Sequence, residues 1–324
     1  MGYEKRKIGE FGGIKAFAAL MRLGHDMKGA QRLCDKGRIF DGGGRQLSKN
    51  DVVNGELWLV DYVCEPRGLE PIYECEGFAV YDKPSGLLSH PSGRHSPYNM
   101  YDEIWSRYGR EACVAHRLDA ETSGVLVVAR NSAAAKSLKT LFEGRAVMKS
   151  YLAYARGEIK PDALVKFEAK NYGDFAAKLA FLEGFEGYVI DAPLAPCDEL
   201  DGLKITMKVA PEGKRAVTLV RILRYLPEFD ATLVECFPLT GRQHQIRVHL
   251  FHVEHAILGE PLYGLNRAQA EAILDGVLSR EERVRLTGAS RLMLHAQEIK
   301  FELGGEKYDI RSRFKFELEP NLTY

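Results

Sequence analysis

The sequence predicts an α+β fold in two domains, a small α/β domain followed by a larger one built on a mixed, mostly antiparallel sheet flanked by helices. Three observations carry this expectation. The chain has 324 residues, where a single domain typically takes roughly 100 to 200. Glu65 to Pro71, with two prolines and a glycine, breaks the apolar pattern and reads as a linker dividing residues 1–70 from 71–324. Past the linker, strand-like and helix-like segments mix without the strict alternation of a parallel doubly wound sheet.

In the first domain, Ile14, Phe17, Ala18, Met21 and Leu23 recur at near-helical spacing up to Gly24. A second helix runs from Lys28 to Lys36 and stops at Gly37, as a helix C-terminus should. Arg38 to Asp41, the turn Gly42-Gly43-Gly44 and the strand-like Leu57 to Val63 follow. Lys28, Arg32 and Lys36 are four apart and share one face, while Ala30, Leu33 and Cys34 point to a core. From Lys15 to Lys49 eight basic residues stand against three acidic ones, a local positive excess in a chain whose net charge is zero. Taken alone, such a stripe reads as a solvated helix face.

In the second domain, Phe78 to Asp82 is strand-like, Met100 to Tyr108 helical, and Cys113 to Ala115 and Val125 to Ala129 strand-like. Ser132 to Gly144 reads as a helix opened by Asn131 or Ser132 as cap. Further strand segments are Tyr151 to Ala155, Val217 to Leu223, Thr232 to Phe237 and Ile299 to Leu303. Residues 160–187 mix glycine, acidic and aromatic residues with no period, and are expected to be an insertion with some local structure.

An apolar fraction of 45% with 28% charged residues excludes collagen-like, disordered and disulfide-scaffold classes. No apolar run approaches the roughly 20 residues of a membrane span, and Met1 to Gly13 has no apolar stretch of a secretory signal. A cytoplasmic monomer without a membrane partner is expected. The six cysteines lie far apart with no C-x-x-C pair, which points to reduced thiols and to neither zinc nor disulfides.

Chemistry concentrates in two stretches. His116-Arg117-Leu118-Asp119-Ala120-Glu121-Thr122-Ser123-Gly124 is a polar loop between two apolar strand segments. Its hydroxyls can bond the loop's own backbone, and by composition a self-satisfied turn with a surface ion pair fits equally well. Thr240 to Leu250 follows an apolar strand and carries Arg242, His244, Arg247 and His249 where a helix should begin. An arginine beside a carboxylate keeps it ionised and fixes its direction, which makes Arg247 a candidate partner for Asp119. His249, His252 and His255 are three apart, yet no Glu or Cys stands at a matching position and H-E-x-x-H is absent. Structural or RNA-contacting roles are preferred to a metal site, and no metal or other cofactor is expected.

These motifs carry two resemblances. GHDMKGAQRLCDKGRIFDGGGRQLSKNDVVNGELWLVDY, Gly24 to Tyr62, resembles the S-four-type RNA-binding domain named for a small-subunit ribosomal protein. That likeness turns the reading of Lys28, Arg32 and Lys36 toward RNA. YDKPSGLLSHP, HRLDAETSG, KSYLAYARGE, GRQHQIRVHL and LMLHAQEIKF, in that order along the chain, resemble the motifs of the RNA pseudouridine synthases of the RluA type. They span about residues 77 to 303. The resemblance implies the pseudouridine synthase fold, and the leading module resembles the arrangement of members that modify large-subunit (23S) ribosomal RNA. The stretch from Lys160 to Gly187 is longer than that family pattern.

By that resemblance Asp119 corresponds to the family's essential aspartate, nucleophile or base in detaching uracil from ribose. Arg247 corresponds to the arginine that pairs with it. Tyr151 corresponds to the active-site tyrosine, set against the target base and a candidate proton acceptor. Arg117 corresponds to the arginine that fills the gap in the RNA stack, and His116, Arg242, His244 and Lys83 are expected at the RNA. Lys83, Pro84 and Gly86 match the block that shapes the pocket. The reaction breaks the bond between uracil nitrogen and the anomeric carbon, turns the base, rejoins it through carbon-5 and removes the proton left there, with no redox change. A carboxylate suits either attack at ribose or proton removal from it. Folded RNA loops are the expected targets, since their bases splay most easily. Transfer RNA is the alternative substrate, a noncatalytic RNA-binding assembly protein a second reading, and a carboxylate hydrolase using Glu121 a third.

Overall fold

The computed structural model describes residues 3–91, 98–197 and 206–318. Their contacts divide them into two units, one drawn from 1–68 and 90–107, the other from 69–89 and 108–324. The first break comes after Gly68. Residues 100–107, assigned by sequence to the larger domain, belong instead to the smaller unit.

In the smaller unit β1 (Tyr3–Lys15), α1 (Ala16–Arg22), α2 (Met27–Asp35), β2 (Ile39–Asp41) and β3 (Val52–Tyr62) form a three-stranded antiparallel sheet, in the order β1-β3-β2, and a helix pair. Asp26 opens α2 by accepting the Gly29 N–H at 2.8 Å. Ala16, Ala19, Leu20, Ala30 and Cys34 of the helices pack on Ile39, Leu57 and Leu59 of the sheet. β1 is a correction to the helix expected from Ile14: it pairs with β3 from Tyr3↔Tyr62 to Lys15↔Val52. Most of its side chains are exposed, so no apolar alternation marks it as a strand. The helix α3 (Met100–Tyr108) carries two buried acids. Asp102 accepts from the Tyr62 hydroxyl at 2.9 Å and the Glu65 N–H at 3.0 Å, and Glu103 from the Arg67 N–H at 2.6 Å. These bonds tie 100–107 to the end of β3, a long-range pairing invisible to local pattern.

The larger unit holds β4 (Pro71–Glu74), β5 (Phe78–Lys83), β6 (Cys113–Val114), β7 (Ser123–Ala129), α4 (Ser132–Glu143), β8 (Met148–Arg156), β9 (Val165–Lys166), α5 (Ala176–Leu179), β10 (Tyr188–Asp191), β11 (Leu194–Pro196) and β12 (Met207–Val209). It continues with β13 (Val217–Leu226), β14 (Ala231–Pro238), α6 (Gln245–His252), α7 (Arg267–Leu274), α8 (Arg280–Thr287), β15 (Leu294–Leu303) and β16 (Glu306–Arg311). Its main sheet runs β4-β5-β7-β15-β8-β14-β13-β10-β9, with β16 beside β15 and β6 beside β7. Only β7 and β15 pair in parallel among these described strands, so the mostly antiparallel expectation holds.

Around β7, which is buried along its whole length, Phe78, Val80, Val125, Val127, Ile299 and Phe301 make one core, covered by Leu138 of α4. Asn131 caps α4 by accepting the Ala134 N–H. Gly124 sits at φ +105°, where a Cβ would stand 2.1 Å from the Ala296 carbonyl oxygen. Only glycine lets β7 approach β15 so closely. The 160–187 stretch has no period because it consists of short helical turns around α5 and the two-residue β9. Its Tyr172 and Phe175 are buried against Val217, Leu219 and Phe237. Burying a side chain such as Phe175 contributes about 1.5–3 kcal/mol.

Candidate active site

Asp119 lies in the loop between β6 and β7, and the segment after β5 holds that loop by its backbone. The Ser89 hydroxyl donates to the Leu118 carbonyl at 2.7 Å and accepts the Leu118 N–H at 3.1 Å. Lys83 Nζ donates to the Ala120 carbonyl at 2.8 Å and the Gly86 N–H to the same carbonyl at 2.9 Å. The Ser85 hydroxyl donates to the Glu121 carbonyl at 2.6 Å. With the backbone on both sides secured, Asp119 has little freedom except at its side chain.

The second half of the site is the turn from β14 into α6. Gln245 is buried and its carboxamide orders the turn: Nε2 donates to the Val217 carbonyl and the Thr218 hydroxyl, both at 2.9 Å. Its Oε1 accepts from the Thr240 hydroxyl at 2.6 Å and the Arg242 N–H at 3.1 Å. His244 takes a left-handed conformation at φ 52° just before α6. One turn on, Arg247 Nη1 donates to Asp119 Oδ2 at 3.0 Å. The opposite side of the guanidinium is gripped by Glu260, Nε to Oε2 at 2.8 Å and Nη2 to Oε1 at 2.6 Å. Side-chain exposure falls from 34% at Asp119 to 4% at Arg247 and 3% at Glu260. The aspartate thus faces solvent while its partner is rooted in the interior.

Asp119, Tyr151, Arg247, Arg117, Lys149 and His244 line one pocket of about 130 Å³. Burial opposes the Arg247 charge, but Glu260 and Asp119 outweigh it and hold its pKa above the ordinary value. Burial, then Arg247, pushes His244 down to about 4 against the pull of the carboxylates. His244 Nε2 at 3.7 Å from Asp119 is therefore a neutral neighbour, and its Nδ1 shares a 2.8 Å hydrogen bond with the Tyr263 hydroxyl. Burial first and the Asp119 charge second push the Tyr151 phenol well up, so it stays protonated at neutral pH. Burial lowers Lys149 to about 8.

The structure thus brings together Asp119, Tyr151, Arg247, Arg117, Arg242 and His244, and it corrects two expected RNA contacts. Lys83 is 1% exposed, and besides Ala120 it donates to the carbonyls of Pro84 at 3.1 Å and Leu87 at 2.7 Å. Three backbone acceptors occupy its ammonium, so it is a clamp inside the loop. His116 accepts the Val127 N–H at 3.2 Å and packs its ring on Phe142 at 5.0 Å. Burial, then Lys149, holds it neutral. Lys28, Arg32 and Lys36 form an exposed row on α2, in the other unit. The histidine run disperses: His249 bonds Thr218 and Ala192, and His255 bonds the Arg156 carbonyl.

Sequence reading missed Glu260, whose one signal is a lone acid in the apolar stretch Ala256 to Tyr263. It also missed Lys178. From the 160–187 stretch Lys178 donates to the carbonyls of Pro238 at 3.2 Å and Leu239 at 2.9 Å, beneath the rim that Thr240 to Arg242 supply. Asp174 of that stretch accepts from Arg215 Nη1 at 2.6 Å, and the Arg215 carbonyl accepts from Arg242 Nε at 3.0 Å.

The family model for RNA pseudouridylate synthase matches residues 77–252, which contain Asp119, Tyr151 and Arg247. The chain belongs to this family. It is accordingly an isomerase that makes pseudouridine in RNA. A Helicobacter pylori protein named as an uncharacterized RNA pseudouridine synthase is 36% identical over 287 residues, 88% of this chain and 85% of the relative. A Vibrio cholerae tRNA pseudouridine synthase C is 32% identical over 72% of this chain and 85% of its own. A Xanthomonas campestris ribosomal large subunit pseudouridine synthase D is 33% identical over 72% of this chain and 61% of its own. The solved human RNA pseudouridylate synthase domain containing 1 shares the fold with a TM-score of 0.55 at 24% identity, covering 80% of this chain and 89% of that one. The family-model match ends at residue 252, so Glu260, the inner partner of Arg247, lies outside the segment that the model covers.

Proposed function

We propose that this enzyme converts uridine to pseudouridine with Asp119 as the group acting at ribose, Arg247 as its partner and Tyr151 as the surface that packs the base. The observation that carries the assignment is Arg247 held between Glu260 and Asp119 at the wall of a pocket that Tyr151 also lines. A charged arginine donating one N–H to the aspartate aims its carboxylate, as either attack at ribose or proton removal requires. The neutral phenol suits a flat, uncharged base. Taking the target uridine out of its helix costs a few kcal/mol, and Arg117 at the pocket mouth is the candidate to fill the vacated stack. Arg242 and His244 line the same opening.

The proposed substrate is large-subunit ribosomal RNA. Support comes from the likeness of Gly24 to Tyr62 to the S-four-type RNA-binding module, from the exposed row Lys28, Arg32 and Lys36, and from the ribosomal relative. The test incubates wild type and Asp119→Asn with unmodified large-subunit ribosomal RNA and with transfer RNA, then maps pseudouridine by site. Product on ribosomal RNA from wild type alone is the expected result. Equal product from Asp119→Asn removes the catalytic assignment, and product on transfer RNA alone removes the ribosomal one. Neutralising Lys28, Arg32 and Lys36 together is expected to weaken binding and flatten its salt dependence.

A further inference from the structure

The outward face of the small sheet has a composition that its helices do not share. Residues paired across antiparallel strands point to the same side, so Tyr3, Lys5 and Lys7 of β1 lie on the face of their β3 partners Tyr62, Val60 and Trp58. Phe40 of β2 joins them opposite Trp58. Leu57, Leu59 and Ile39 point the other way, into the core. Away from Tyr62, which is buried against Asp102, this face sets aromatic rings beside cations, with Glu56 pairing Lys7 at 2.8 Å and accepting the Trp58 indole N–H at 3.0 Å. Lys5 Nζ stands 4.8 Å from the centre of the Phe40 ring and 5.7 Å from that of Trp58. The Arg38 guanidinium stacks on Tyr3 at 4.4 Å and donates to its hydroxyl at 2.8 Å. A cavity of about 360 Å³ opens along this face, lined by Tyr3, Lys36, Arg38, Phe40, Gln46 and Val60. Lys36 belongs to the basic row of α2, so the row and the sheet face meet at one cavity.

We propose that this face is a second RNA-binding site, one that stacks the bases of a single-stranded segment on Phe40, Trp58 and Tyr3 while Lys5 and Arg38 meet its phosphates. Flat rings alternating with cations are what single strands require, since every base has a π-face and every linkage a charge. A duplex hides its base faces and fits such a surface poorly. The site is distinct from the basic helix row, which offers charge without rings. It rests on RNA being the substrate of this enzyme and on no role assigned to Asp119.

The test titrates the full-length protein with an oligoadenylate of about 12 nucleotides, within the span such platforms bind. The probe has no uridine, so its binding does not depend on the reaction. Phe40→Leu, which keeps bulk but removes the ring, is expected to weaken binding roughly tenfold. Lys5→Ala, an exposed change that leaves the core intact, is expected to lower the salt slope by about 0.7. Asp119→Asn should bind the oligomer as wild type does, and the matching duplex should compete poorly. Unchanged affinity in Phe40→Leu with an unchanged slope in Lys5→Ala overturns the proposal. So does binding lost only in Asp119→Asn, which would put the oligomer in the catalytic pocket.

Discussion

Glu260 grips Arg247 at two points, 2.6 Å and 2.8 Å, and so turns the remaining guanidinium nitrogen toward Asp119. The pair is buried, so its partners depend on each other more than a surface pair would. Glu260→Gln leaves the Arg247 charge in the interior without its counter-charge. Breaking a buried pair in this way typically costs about 3–5 kcal/mol. We expect a lower urea midpoint and a kcat reduced at least tenfold, about 1.4 kcal/mol, with KM for RNA changed less. Wild-type kcat in a stable Glu260→Gln protein would remove Glu260 from the positioning of Asp119.

Tyr151 reaches the pocket as a protonated phenol, and its ring is the part that can hold a base. In an Asp119→Asn background, Tyr151→Phe should bind RNA within about twofold of its parent. Tyr151→Ala should lose about 1–3 kcal/mol of affinity, the worth of one base–aromatic stack. Equal losses in both variants would assign the binding to the hydroxyl instead.

Lys178 links the 160–187 stretch to the site through the Pro238 and Leu239 carbonyls. Lys178→Met removes both donors and should cost about 1–3 kcal/mol of stability. Because Thr240 to Arg242 form the rim above, KM for RNA is expected to rise several-fold with kcat nearly kept. A rise confined to unfolding, with KM unmoved, would make the lysine purely structural.

Stability should climb with pH in two windows. Burial pushes Lys83 and Lys178 each down to about 7, and His249 and His295 each down to about 4. In the unfolded chain they return to roughly 10.4 and 6.5. Between the folded and unfolded values the unfolded chain holds more protons, so rising pH favours the fold. The gain runs from about pH 4 to 6.5 for the histidines and from about 7 to 10 for the lysines, at up to about 1.4 kcal/mol per pH unit for each group. Urea unfolding at pH 7 and 9 checks the upper window. Wild type should gain more than Lys178→Met, and equal gains would mean that Lys178 keeps its ordinary pKa.

Much of the larger unit was legible because its signals are local. The apolar runs at Phe78 and Val125, the Asn131 cap and the polar loop around Asp119 each lie within a few residues of chain. The pairing of Arg247 with Asp119 was legible as well, since an arginine at a helix start and an isolated aspartate suggest each other chemically. β1 was not legible, because its exposed side chains carry no alternation and only β3 makes it a strand. Lys83 and His116 were misread because a polar side chain in a polar motif looks exposed until its carbonyl and N–H partners are known.

By itself the sequence carried the family of this chain, because Asp119, Tyr151 and Arg247 stand in motifs that resemble those of the RNA pseudouridine synthases, and the family model matches the same segment. Tertiary structure alone decided which charges line the pocket and which face inward. Glu260 and Lys178 act on groups brought near by the sheet, and Lys83 spends its charge on three carbonyls around Asp119. Those choices follow from burial and hydrogen-bond geometry, which arise only when distant strands close into one sheet.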